Sequence, residues 1–181
     1  METIEKRLLR DLDLTEIING VEVMGPSPFG RHQDVSGNLY DIIRHYVKTK
    51  GLGKVYYSPL DVIFEEGINR VQPDILFIRK ENMAIFQDWV RGVPDMVCEI
   101  ISPGSYEKDV EVKRIIYEKY GVPEYWIVIP ELQTIEILTI ENEAPQALHH
   151  KYKVHSIAGF EGVVKSKVIE GLQINLKEVF E

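Results

Sequence analysis

Two short apolar runs and the segment between them constrain the fold more than anything else in the chain. They are 94-PDMVCEII-101 and 124-EYWIVI-129, separated by a helical stretch from Tyr106 to Tyr120 that Gly121 closes. Strand, helix of this length and strand make a crossover connection, so the two strands are expected to run parallel. The first run also carries an anomaly. Six of the seven residues in 96-MVCEIIS-102 suit a strand buried on both faces, and the seventh is Glu99. An isolated carboxylate in an apolar interior costs on the order of several kcal/mol unless it is paired, metal-bound or protonated. A buried Glu99 requires a partner.

The remaining segments extend this frame. The first sixteen residues read as a short helical extension, with Ile4, Leu8 and Leu9 at roughly helical spacing. Two short strands around an Asn-Gly turn are expected in 17-IINGVEVM-24, then a Pro/Gly loop, 25-GPSPFG-30. From His32 to Lys50, Val35, Leu39, Ile42, Ile43, Tyr46 and Val47 recur at helical spacing, and Gly51 ends the helix. Strand-like runs follow at 54–66 and 73–79, with an irregular connector over 80–92. Beyond the crossover, 133–140 and 147–154 read as strands, and a terminal turn spans Leu-Lys-Glu-Val-Phe. Strands joined by short turns should pair antiparallel, so the expectation is one α/β (α+β) domain over 1–181. It holds a mixed β-sheet flanked by helices.

Composition narrows the class. The 181 residues suffice for one domain with a real core, and 44% apolar with 28% charged residues is ordinary for a globular protein. No apolar run reaches the ~18 residues of a membrane span, and the charged N-terminus lacks an apolar h-region. One cysteine, Cys98, excludes an internal disulfide and a multi-thiolate zinc site. A cytoplasmic location is expected. Cys98 should face the side of the sheet opposite Glu99, as inert core, and Tyr125 and Trp126 should pack in the core or at a subunit contact. The net charge of −8 argues against broad phosphate neutralisation, so any nucleic-acid contact must use local patches or bound cations. Lys48, Lys50 and Lys54 form one patch, and 149-HHKYK-153 with Lys165 and Lys167 another. Exposed lysines of this kind are most often solubilising surface. His149 and His150 are expected on opposite faces of a strand, and Asp61 at a strand end near water.

A second acid, Asp74 in 73-PDILFI-78, stands at the start of an apolar strand. In the crossover helix Asp109, Lys113 and Tyr117 are spaced i, i+4, i+8 and share a face that can lie near Glu99. Each has a plain structural reading: Asp74 can satisfy a turn, Glu99 can pair with Lys113, and Asp109 suits a helix N-terminus. Together they have a chemical one. Two carboxylates on neighbouring strands suit Mg²⁺ (or Mn²⁺), which keeps several waters and takes few protein ligands. A nearby ammonium can orient a water or stabilise charge on phosphorus.

In these features the chain resembles the Uma-type restriction-endonuclease family, a branch of the PD-(D/E)XK nuclease superfamily. The resembling residues are 72-QPDILFI-78, 92-GVPDMVCEIISP-103, Asp109, Lys113 and 121-GVPEYWIVIP-130, with HQDVSGNLY and 57-YSPLDVIF-64 before them. It covers about residues 17–180. The resemblance implies a restriction-endonuclease-like fold and divalent-metal-dependent cleavage of phosphodiester bonds in nucleic acid, DNA foremost, by an enzyme that pairs as a homodimer or higher oligomer. It assigns Asp74 and Glu99 to the metal, adds the Ile100 carbonyl as a ligand, and gives Lys113 the place of the lysine expected at position 101, which is Ile101. A first-helix residue often joins such sites; His32, Asp34 and Asp41 are the alternatives. The competing reading is a catalytically inactive nuclease fold that binds nucleic acid or protein.

Overall fold

The computed structural model describes residues 15–24, 29–104, 107–140 and 150–181. The expected N-terminal helix lies outside them, except that Thr15 and Glu16 belong to a strand. That strand, β1 (Thr15–Ile18), pairs antiparallel with β2 (Val21–Met24). Asn19 and Gly20 both take positive φ between them, which suits an Asn-Gly hairpin turn. Helix α1 (Gly30–Lys50) buries Val35, Leu39, Ile43 and Val47 along one stripe and ends on Gly51 in the left-handed region. The chain continues through β3 (Gly53–Tyr57), β4 (Val62–Glu65), β5 (Asn69–Val71) and β6 (Ile75–Arg79). A 3₁₀ turn (Lys80–Ile85) and β7 (Val90–Arg91) occupy the irregular connector.

The crossover is as expected. Strand β8 (Met96–Ile100) runs parallel to β9 (Glu124–Ile129), with Cys98 opposite Trp126 and Glu99 opposite Ile127. The helix between them is not uniform. It opens as a π-helical segment (Glu107–Lys113) and tightens into helix α2 (Arg114–Tyr120), which Gly121 caps. Strands β10 (Thr134–Ile140) and β11 (Tyr152–Ala158) follow, then β12 (Val163–Lys165), β13 (Gln173–Asn175) and helix α3 (Lys177–Phe180). The strand expected over 147–154 begins only at Tyr152; His150 precedes it, and His149 lies outside the described residues.

A six-stranded mixed sheet in the order β11-β10-β9-β8-β6-β3 forms the centre, beside a five-stranded sheet β2-β1-β5-β4-β7 and the β12-β13 hairpin. Alternation along β6 and β8 separates two cores. On one face Ile75, Phe77, Met96, Cys98 and Ile100 pack with the α1 stripe. On the other, Leu76, Ile78, Val97 and Ile101 pack with Tyr117 of α2, Tyr125, and Val62, Val71 and Val90 of the five-stranded sheet. Glu99 has the parity of Val97 and Ile101, so it points between α2 and the second sheet. At the far end of β6, a Cβ on Gly53 would collide with the Ile78 carbonyl oxygen, so only glycine lets β3 close on its neighbour there.

Cys98, Tyr125 and Trp126 are fully buried, as the alternation requires. Asp61 differs from expectation. It is buried, just ahead of β4, and its Oδ1 accepts from Gln72 Nε2 at 2.8 Å. A side-chain donor replaces the water that a strand end was expected to supply. Lys48, Lys50, Lys54 and Lys151 are exposed.

Candidate active site

Cross-strand register brings the two acids together. Ile75 pairs with Cys98 in the antiparallel β6-β8 ladder, so one step further Asp74 faces Glu99. The contact is anchored by the Ile100 amide, which donates to Asp74 Oδ2 at 2.7 Å. Asp74 thus accepts a backbone bond, as an Asp at a turn does, but from the neighbouring strand. Its Oδ1 lies 3.3 Å from His32 Nε2, in the first turn of α1. Among the three first-helix alternatives, His32 is the one beside an acid; Asp34 and Asp41 are exposed. Burial lowers the His32 pKa, while the Asp74 hydrogen bond and charge, the Asp109 charge and the Ile100 backbone raise it, and the net shift is upward. His32 Nδ1 is buried without a hydrogen-bond partner.

Glu99 is answered from the crossover helix. Its Oε1 accepts from Lys113 Nζ at 3.0 Å and from the Tyr117 hydroxyl at 2.5 Å, all three side chains being buried. Asp109 Oδ1 stands 3.4 Å from the same ammonium, so the i, i+4, i+8 face predicted from sequence is assembled around Glu99. The π-helical opening is held to the sheet by the Tyr125 hydroxyl, which donates to the Asp109 carbonyl at 2.7 Å. Wide turns of this kind often mark functional positions in helices.

The acid that sequence reasoning missed is Glu16. Its Oε1 lies 2.8 Å from Lys113 Nζ and accepts the Gln72 amide at 2.8 Å, while Oε2 lies 3.0 Å from Lys108 Nζ. The available signal was the hairpin: Glu16 has the parity of Ile18, and both point inward. Reading the segment as the end of a helix concealed that alternation.

Charge decides the protonation states. Three carboxylates (Glu16, Glu99, Asp109) meet two ammonium groups, Lys108 and Lys113, while Asp74 faces His32. Burial is the largest influence on Glu99 and pushes its pKa well above the usual value; Lys113 opposes this, and Asp109, Asp74 and Glu16 add to it. Lys113 shifts well upward too, because Glu99, Glu16 and Asp109 together outweigh its burial. The two upward shifts are consistent. One cation among three anions keeps its proton, and the most deeply buried anion tends to gain one. Glu16 goes the other way: burial raises its pKa, but Lys113, Lys108 and the Gln72 amide bring it below the ordinary value.

Among the described residues no three His, Cys, Asp or Glu side chains form a group that could hold a metal ion. Two carboxylates with a backbone carbonyl and waters is the smaller set that Mg²⁺ takes. The buried Asp109 Oδ1 and His32 Nδ1, which have no hydrogen-bond partner, are atoms that the hydration shell of a nearby cation could engage.

Comparison with known proteins follows the same line. No curated protein matches the chain. A solved structure described as "a putative nuclease belonging to DUF820 from Anabaena variabilis" superimposes with a TM-score of 0.73, covering 99% of this chain and 98% of that one at 20% identity. At that identity the likeness is one of fold, restriction-endonuclease-like with mixed sheets and flanking helices. No described helix is long and apolar enough to cross a membrane. The family described as "Putative restriction endonuclease" matches residues 3–177, and the chain belongs to this Uma2 family.

Proposed function

We propose that the protein is a divalent-metal-dependent nuclease that hydrolyses phosphodiester bonds of nucleic acid, with DNA as the first substrate to test. The observation that carries this reading is the cross-strand meeting of Asp74 and Glu99, with Lys113 hydrogen-bonded to the latter. Asp74, Glu99 and the Ile100 carbonyl would hold Mg²⁺ or Mn²⁺. When bound, such an ion polarises a phosphate oxygen and acidifies a water. Asp74 and Glu99 supply the anionic oxygens that fix its position, and the Ile100 amide keeps the Asp74 carboxylate from rotating.

Lys113 stays an ammonium, since its pKa is pushed up. It therefore donates hydrogen bonds and stabilises negative charge; it does not abstract a proton. His32, beside Asp74 with its pKa raised, is placed to hold a proton at the same edge of the site. The test is incubation of the protein with plasmid and with single-stranded DNA in Mn²⁺, against the Asp74→Asn variant. Cutting by the wild type alone is expected. If every substrate stays intact with both proteins, the catalytic reading is lost.

A second reading has its own support. The lysine expected two residues after Glu99 is Ile101, and Lys113 is surrounded by three carboxylates. A non-catalytic descendant that binds nucleic acid or protein would keep such a network for structure. Calorimetry with Mg²⁺ separates the two readings. Binding heat that disappears in Asp74→Asn supports the enzyme, and no heat supports the binding module. Pairing of two copies, which either reading allows, is read by light scattering.

A further inference from the structure

We propose that Glu16 is a positioning residue of this site: from the neighbouring sheet it holds the Lys113 ammonium between two carboxylates, so that Lys113 does not collapse onto Glu99 alone. The inference rests on the nuclease reading for its consequence and on geometry for its content.

Glu16 is contributed by β1, in the five-stranded sheet, whereas Glu99 lies in the six-stranded one. The Lys113 Nζ distances are 2.8 Å to Glu16 Oε1, 3.0 Å to Glu99 Oε1 and 3.4 Å to Asp109 Oδ1. A lysine ammonium has three N–H donors on a flexible stem. Glu16 and Glu99 engage two of them at hydrogen-bonding distance. Asp109 Oδ1 makes no hydrogen bond, so the third N–H is held only electrostatically. It is the donor that can turn toward a water or phosphate oxygen without leaving the other acids.

Glu16 also reaches the other half of the site. It accepts the amide of Gln72, two residues before Asp74, and so fixes Lys113 relative to the chain that delivers Asp74. Stability alone is a poor reason for the arrangement. Buried ion pairs often do no better than apolar residues of the same size, and Glu16 already has Lys108 as a partner.

The experiment uses Glu16→Gln, which keeps the shape and the acceptor for Gln72 but removes the charge. Three quantities are measured on the whole chain: kcat and KM for Mn²⁺-dependent DNA cleavage, Mn²⁺ affinity by calorimetry, and the Lys113 side-chain NMR signal with its hydrogen-exchange rate. The expected result is a fall in kcat of about 100-fold, the cost of displacing a catalytic group by roughly 1 Å, with KM and Mn²⁺ affinity little changed. The Lys113 signal should shift, and its ammonium protons should exchange faster. Glu66→Gln, which removes an exposed carboxylate paired with Arg91 away from the site, should leave kcat near that of the wild type. Unchanged kcat and an unchanged Lys113 signal in Glu16→Gln overturn the proposal, as does an equal loss in Glu66→Gln. Should Glu16→Gln not fold, Glu16→Asp, which keeps the charge but draws it back by one methylene, carries the same measurements. If the wild type cuts nothing, the nuclease reading fails by itself, and the Lys113 signal still decides whether Glu16 places that ammonium.

Discussion

Glu99 and Glu124 sit on adjacent parallel strands, both almost completely removed from water, and they are solved in opposite ways. Glu124 is met by neutral donors aimed at it. Trp126 Nε1 (2.7 Å) and the Ser166 hydroxyl (2.6 Å) donate to Oε1, and the Lys167 and Val168 amides (2.7 and 3.1 Å) to Oε2. These bonds tie β9 to the segment ahead of β13, and each carboxylate oxygen faces fixed dipoles. Glu99 has instead a lysine shared with two competing carboxylates, a tyrosine, and Asp74 as a cross-strand neighbour. A buried carboxylate that only holds a fold together can be saturated by dipoles. One whose lysine partner is divided among three carboxylates is less fully satisfied, and a cation can be accommodated beside it. Burial alone does not distinguish the two; the neighbours do.

The largest effect should come from Lys113→Met. Removing the shared ammonium takes from Glu99 the lysine hydrogen-bonded to it and leaves Glu16 with Lys108 alone, and unfolding followed by urea should show a loss of about 3–5 kcal/mol. Glu124→Gln comes next, because one orientation of the amide sets its NH₂ group against the Lys167 and Val168 amides and the other sets it against the Trp126 indole N–H. A loss of about 3 kcal/mol is expected, with the response to Mn²⁺ intact. A change in Mn²⁺ affinity there would erase the distinction drawn between the two glutamates.

Glu99→Gln should behave in the reverse manner. The folded pKa of Glu99 lies above the ordinary value near 4.5, so its contribution is most favourable below that pH and is lost as pH rises through the folded value. In metal-free buffer the melting temperature of the variant should therefore gain on that of the wild type as pH increases from about 4.5. Its rise on adding Mn²⁺ should vanish. A pH-independent difference would show that Glu99 ionises normally. The smallest effect belongs to Tyr117→Phe, which removes one hydroxyl donor to Glu99 and should cost about 1 kcal/mol by thermal melts.

The elements with strong periodicity were legible in the sequence. The α1 stripe, the Asn-Gly hairpin and the β8-helix-β9 crossover follow from spacing, and the last fixes the parallel pair. The short strands β5 and β7 were not, and for β12 and β13 only strand-like residues without bounds could be read, since two or three residues carry no period and pair only because a neighbour is already in place. The acids were readable for a related reason. Asp74 and Glu99 interrupt apolar runs, and Asp109, Lys113 and Tyr117 repeat on a helix face. Glu16 interrupts nothing that is visible locally, because its partners come from distant parts of the chain. His32 could be named as an alternative but not chosen, because its distance from Asp74 depends on how α1 docks against the sheet.

The lysine rides on a helix laid over the sheet, whereas both strand acids belong to the sheet itself. A molecule in which that covering layer has briefly lifted would retain Asp74 and Glu99 side by side but be stripped of the one lysine or arginine that is buried among the described residues. The hydroxyl of Tyr125 on the carbonyl of Asp109 is then more than a packing detail. It helps pin the π-helical opening to β9, and with it the ammonium of Lys113 above the two acids.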